Sequence, residues 1–172
     1  MKIISLFRRI ELWETNRRIH KIAKTIGVRF INNDPKSCIN CNTSIGDDVS
    51  FNGMRIIGSG NVSIGSHFHC GENCYIISDN HNYDAGNEIP YDRKGSIPKN
   101  IVIEPNVWIG TGVIVLGDAH IGEGAIIQAG SVVVGDIPAG GIAGGHPAKV
   151  FKYRDRKHYE ELKEKNAYIL NK

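Results

Sequence analysis

The chain has 172 residues and a net charge of +3, with 41% apolar residues and 20 glycines against 6 prolines. That length fits one domain with its own core, and the composition is that of a turn-rich globular protein rather than a disordered one. The charge is too small, and too little interleaved with aromatics, for a nucleic-acid-binding surface, and no run approaches the roughly 18 apolar residues that a membrane span needs.

The first residues, MKIISLFRR, hold an apolar run too short for a signal peptide, with arginines directly after it. The expected location is therefore the cytoplasm. Residues 2–26 are predicted as an amphipathic helix, with Ile3, Phe7, Ile10 and Trp13 on one face and Ile19, Ile22 and Ile26 continuing it. Its polar face carries Arg8, Arg9, Arg17, Arg18, Lys21 and Lys24. Two roles are open for this segment, set at residues 1–32. It can cap the end of the following domain, or associate peripherally with the inner face of a membrane.

Beyond it a six-residue period takes over. Ile39, Ile45, Phe51 and Ile57 stand six apart, and after a one-residue slip the series continues through Ile64, Cys70 and Ile76. From Ile103 it runs through Ile109, Val115, Ile121, Ile127 and Val133. Four places after each of these stands a small or β-branched residue, at Val107, Val113, Ala119, Ala125, Ser131 and Ile137. Neither a heptad nor a period of two explains this pattern. Each hexad is predicted to supply a short strand and a corner, with three hexads, about 18 residues, closing one coil. Stacked coils form parallel strands about 4.8 Å apart. The first residue of each hexad points inward, so stacking buries a continuous column of Ile and Val. This solenoid is placed at residues 33–150, with four to five coils. Asn82–Ser96 breaks the period and is predicted to project as a functional loop.

The tail, residues 151–172, is predicted to form a short helix with Tyr159, Leu162 and Tyr168 as packing points. Cys38, Cys41, Cys70 and Cys74 suit a reducing compartment. Their spacing, with His67 and His69 nearby, is looser than a zinc ribbon, so they read as buried structural residues and no metal is expected.

Four linked stretches carry a resemblance. They are Ile64-Gly65 through Ser78-Asp79-Asn80-His81, the loop after it, Asn106-Val107-Trp108-Ile109-Gly110, and Ala129-Gly130-Ser131-Val132-Val133 leading to Gly144-Gly145-His146-Pro147-Ala148-Lys149. In this order and spacing they resemble the hexapeptide-repeat acyltransferase family. The branch most alike holds galactoside, maltose and xenobiotic acetyltransferases and the capsule or lipopolysaccharide O-acetyltransferases. The likeness covers residues 39–152. It implies an all-β fold, a left-handed parallel β-helix, which the usual right-handed crossover rule would not suggest. It also implies acetyl-CoA as cosubstrate and a homotrimer with active sites between neighbouring subunits.

In that family the histidine at the place of His81 deprotonates the acceptor, which attacks the acetyl carbonyl directly, and imidazole titrates close to the working pH. The resemblance further implies Thr111 as oxyanion donor through its amide or hydroxyl, and Trp108 beside substrate and coenzyme A. The pantetheine arm would pass Ala129, Gly130, Ser131 and Val134. Lys149 and Lys152 would meet the 3′-phosphate, supplying charge without the fork of arginine. Tyr83 and Asp84 are candidates on the acceptor side. Asp79, Asp84 and Glu88 are near His81 in sequence, and which group orients its ring stays open. His67, His69 and His120 read as surface residues, and His146 as a candidate for touching coenzyme A. The expected function is O-acetylation of a sugar hydroxyl in surface polysaccharide biosynthesis. The alternatives are a drug acceptor such as a streptogramin or chloramphenicol, an amino sugar, a non-catalytic scaffold, or a zinc carbonic anhydrase, for which His81 and His120 lack a third partner.

Overall fold

In the computed structural model, which describes residues 2–169 and the side chains of residues 6–169, the six-residue period folds into a three-sided parallel β-helix. β-Branched residues fill its strands because they pack well on a pleated, half-buried surface. The first face stacks Thr25–Ile26, Thr43–Ile45, Val62–Ile64, Ile101–Ile103 and His120–Ile121, and a bridge from Ile121 to Ile137 closes it. The second face holds Ile31–Asn32, the starts of Ser50–Ile57 and His69–Ile77, then Trp108–Ile109, Ile126–Ile127 and Gly141–Gly144. The third stacks the ends of the two long strands with Ile114–Leu116 and Val132–Val133.

The interior is the predicted column. Ile103, Ile109, Val115, Ile121, Ile127 and Val133 are all buried, and so are Val107, Val113, Ala119, Ala125, Ser131 and Ile137. Successive coils turn from the first face to the second at Arg29, Asp48, His67, Asn106, Gly124 and Gly140, and each of these has a left-handed φ between 55° and 68°. Glycine takes that conformation freely, and Asn or Asp at modest cost. The non-glycine corners are tied to their neighbours. The Arg29 guanidinium forks onto Asp48, with Nη2 donating to Oδ2 at 2.6 Å, and Asn106 Nδ2 donates to Glu123 Oε1 at 3.2 Å.

The structure departs from several expectations. Ile57 is not an interior residue: it is 44% exposed and Ile56 takes its place. The slip comes earlier than the sequence suggested, between Ser50 and Asn52, where the pairing with His69–Ile77 shifts register. The helix, here α1, spans Lys2–Ile22 and stops short of residue 26. Thr25–Ile26 instead pairs with Ser44–Ile45, and Ile31–Asn32 with Ser50–Phe51, so the solenoid already begins at Thr25, ahead of residue 33. Finally, the tail is not purely helical. Lys149–Tyr153 returns as an antiparallel strand on Gly141–Gly144 before α2, Arg156–Glu164, begins.

α1 lies over the start of the solenoid through its second half. Ile19 is buried, Thr15 Oγ1 donates to the Pro35 carbonyl at 2.9 Å, and His20 meets Phe30 edge to face. The predicted single apolar face does not exist as such: Phe7, Ile10 and Trp13 are exposed, and the Ile3 side chain lies outside the described residues. No described helix is long and apolar enough to cross a membrane. At the other end Asp155 caps α2 by accepting from the His158 amide. Tyr159 then anchors the helix, donating to Glu123 Oε1 at 3.1 Å and accepting from Asn106 Nδ2 at 2.9 Å. Burial, with the Glu123 carboxylate close by, pushes the Tyr159 phenol up to about 12.

Candidate active site

The chain leaves the solenoid after Ser78, which is fully buried, and rejoins it at Ile101. Asp79–His81 and Ser96–Pro98 form a short antiparallel ribbon, with His81 opposite Ser96 at its outer end. The base of this stalk is fixed. Ser78 O accepts from both Gly60 N and Lys99 N at 2.9 Å, and Asp79 Oδ2 accepts from Ser59 N and Oγ at 3.1 and 3.2 Å. The tip folds on itself, through Asp92 N donating to Asn82 O and a fork from Arg93 onto Glu88. His81 is exposed, and its imidazole stacks on the ring of Tyr91 with centroids 3.8 Å apart and planes 12° from parallel. Among the described residues neither ring nitrogen of His81 is hydrogen-bonded. Of the carboxylates near it in sequence, Asp79 serves the stalk and Glu88 serves Arg93. Tyr91, which sequence reasoning did not single out, is the group in contact with the ring.

Of the other expected residues, Thr111, Ala129 and Gly130 lie along the edge between the second and third faces. Thr111 stacks between Glu72 and Gly130: its hydroxyl accepts from the Glu72 amide at 3.3 Å and its carbonyl from the Gly130 amide at 2.8 Å. The Thr111 hydroxyl proton remains available to donate outward. Ala129 and Gly130 are exposed on the same edge, and a Cβ on Gly130 would meet nothing within 4 Å. His146 reaches back along this edge, its Nε2 on the Gly130 carbonyl. Trp108 stands outward on the second face, 52% exposed. Lys149 and Lys152 are exposed on the returning strand, and among the described residues neither is in an ion pair.

Ser131 departs from the expectation. It is 1% exposed, and its hydroxyl accepts from the Gly145 amide at 3.1 Å, because it occupies an inward position of the repeat. Val134 is exposed but follows the strand Val132–Val133, at the other edge of the third face, which is the edge that carries the His81 stalk. Within one chain the third face thus separates His81 from Thr111 and Trp108. Ile114–Leu116 spans it, so roughly 10 Å of sheet lies between the edges at about 3.3 Å per residue. Tyr83, 61% exposed, and Asp84 follow His81 on the loop.

A family model for the bacterial transferase hexapeptide (six repeats) matches residues 100–135. The candidate acetyltransferase YJL218W of Saccharomyces cerevisiae is 32% identical over 148 residues, which cover 81% of this chain and 72% of the yeast protein. The chain belongs to the hexapeptide-repeat acyltransferase family. Among solved structures of this family, a maltose O-acetyltransferase from Clostridium difficile 630 is 26% identical, with a TM-score of 0.68 over 78% of this chain and 72% of that one. The acetyltransferase VCA0836 from Vibrio cholerae O1 biovar eltor, complexed with acetyl-CoA, shares the fold at 22% identity, with a TM-score of 0.59 over 87% and 88% of the two chains. The chain spans about a quarter of the length of the tetrahydropyridine-dicarboxylate N-acetyltransferase of Clostridium perfringens, which it matches at 46% identity over 56 residues, 33% of this chain.

The remaining histidines and cysteines of this hexapeptide-repeat protein lie apart from the His81 stalk. His120 Nε2 pairs with Glu104 Oε1 at 2.9 Å. His67 stacks on Tyr168, and His69 is half-buried, its pKa lowered by burial and then by the nearby His67. Cys41 is exposed, contrary to the reading of the cysteines as buried, because it sits in a corner turn. Cys70 and Cys74 are interior, and the hydrogen bond between their thiols, then burial, pushes the Cys70 thiol up. A cavity of about 630 Å³ lies on the second face beneath α2, lined by His69, Asn106, Trp108, Tyr159, Leu162 and Tyr168. It touches Trp108 but not the His81 loop, and nothing in the repeat pattern signals it, since it depends on where α2 folds back.

Proposed function

We propose that the protein transfers the acetyl group of acetyl-CoA to a sugar hydroxyl, with His81 as general base. The observation that carries this reading is the stalk. It presents one exposed imidazole with both nitrogens open, at the place where a hexapeptide-repeat acyltransferase holds its base. The likeness to a maltose O-acetyltransferase supports the sugar acceptor, and the acetyl-CoA complex of VCA0836 supports the donor. The exposed edge at Ala129 and Gly130 lacks side chains beyond Cβ, so an extended pantetheine arm can approach the backbone there. Lys149 and Lys152 supply charge for its phosphates.

In the reaction, the imidazole of His81 takes the proton from the acceptor hydroxyl as its oxygen bonds to the acetyl carbonyl carbon. Thr111 donates to the oxyanion that forms. Collapse of that intermediate breaks the carbon–sulfur bond, and the leaving thiolate takes the proton from the imidazolium. The products are the sugar ester and coenzyme A. Because the third face separates His81 from Thr111 and Trp108 in one chain, a homotrimer in which a neighbour brings the second edge against the first completes this site. Tyr83 and Asp84 then face the acceptor, which we place in surface polysaccharide synthesis.

The test is thiol release from acetyl-CoA by the purified protein with a panel of mono- and oligosaccharides, an amino sugar, a streptogramin and chloramphenicol. The reading expects turnover with a neutral sugar bearing free hydroxyls. Turnover confined to the amino sugar or the drugs moves the acceptor, and a protein that fails to bind acetyl-CoA by calorimetry removes the activity.

A further inference from the structure

α1 carries apolar side chains on two arcs that point in opposite directions. At 3.6 residues per turn, Thr15, Ile19 and Ile22 share one arc, and this arc packs on the solenoid, with Thr15 and Ile19 buried. Leu6, Ile10 and Trp13 fall about opposite, with Phe7 at their border, and these four are 58%, 46%, 61% and 63% exposed. Singly such exposure is ordinary, but four large apolar side chains within two turns form a patch that needs a partner. Nothing in the described chain covers it.

The charge around the patch says what that partner is. The helix sequence holds six lysines and arginines against two glutamates. Arg9, Arg17 and Lys21 lie on or beside the exposed arc, against Glu14 at its border, and the Arg17 guanidinium stands 5.8 Å from the centroid of the Trp13 ring. A second copy of this chain would bring the same cations against them, in a protein already net positive. An anionic bilayer surface matches both features. Its headgroups pair with the basic residues, and Leu6, Phe7, Ile10 and Trp13 enter the boundary between headgroups and acyl chains.

We propose that this outward arc of α1 docks the protein flat on an anionic membrane surface, while the inward arc at Thr15, Ile19 and Ile22 holds the solenoid to it. Docking is independent of acetyl transfer, so the test reads binding alone. The full chain is sedimented with vesicles of equal parts phosphatidylglycerol and phosphatidylcholine, and with phosphatidylcholine vesicles as reference. The expected result is binding to the anionic vesicles that weakens as salt is raised, with little on the neutral ones. A Phe7→Ser/Trp13→Ser double variant should lose about ten-fold or more in partitioning with unchanged thermal unfolding, since both side chains are exposed. Failure of the chain to sediment with anionic vesicles, or full retention of binding by the variant, overturns the proposal. So does a variant whose mass by light scattering falls while neither protein binds lipid, which would assign the arc to a second copy.

Discussion

The imidazole of His81 lies flat against the ring of Tyr91, with centroids 3.8 Å apart and planes 12° from parallel. The two residues come from opposite arms of one loop, which is closed by Asp92 N donating to Asn82 O at 2.9 Å. Stacking covers one ring face and leaves the edge that bears both nitrogens open. Tyr91 therefore holds the plane of the His81 ring without engaging either of its nitrogens. Replacement by alanine frees the ring, and small misplacements of a reacting group are costly. Tyr91→Ala is expected to lower kcat by about ten- to hundred-fold, while Tyr91→Phe keeps the stack and stays near wild type. Steady-state kinetics of both variants checks this; equal losses would assign the role to the phenol hydroxyl instead.

The register of the third face can be read by a pair of neighbouring residues. Ile56 is buried and Ile57 is not. Ile56→Ala should cost about 2–4 kcal/mol through lost burial and the cavity left behind, and Ile57→Ala should stay within about 0.5 kcal/mol. Urea unfolding measures both. The larger loss at Ile57 instead would mean that the slip lies after residue 57.

The same loop and the same pair of isoleucines mark how far the sequence could be read. From Ile103 to Ile137 the period is unbroken, each coil adds the same inward positions, and every one of them is buried. Around Ser50–Asn52 one residue is dropped at a corner, and an apolar residue stands at both candidate positions, so the pattern could not say where. The exposed place of His81 was legible because it sits where the period fails. Tyr91 was not, because its contact depends on how the loop closes through Glu88, Arg93 and Asp92. Thr25–Ile26 read as helix since Ile26 continues the helical spacing, and the edge of the Thr43–Ile45 strand overrode that spacing. Ser131 was legible as an inward position of the repeat, and packing buries it there.

The anchor of α2 rests on Tyr159, whose hydroxyl meets both Asn106 and Glu123. Tyr159→Phe removes those bonds and keeps the ring, at a cost of about 1 kcal/mol. The expected effect is faster amide exchange across Arg156–Glu164, with protection in the solenoid strands unchanged. Unaltered exchange in α2 would show that the Lys163 contact to Glu123 holds the helix by itself.

Asp48 sets an acid limit on stability. Its carboxylate is held below the usual range, first by the hydrogen bond from Arg29, against the opposing effect of burial. A depressed carboxylate contributes stability that is fully present above its unfolded pKa of about 3.9 and fades as pH falls through the folded value. Stability should therefore decline as pH drops below about 4. Asp48→Asn, which tolerates the left-handed φ of 57° at this corner, should be less stable at neutral pH and change less over the acid range. Parallel acid profiles for the two proteins would contradict this.

In the proposed reaction one imidazole, at the root of a loop that interrupts the solenoid, moves the proton in acetyl transfer. The most direct test is kcat for His81→Ala with acetyl-CoA and the best sugar acceptor, alongside acetyl-CoA affinity by calorimetry. The expected loss is roughly 10²–10⁴-fold, with affinity retained. Wild-type turnover in that variant would contradict it.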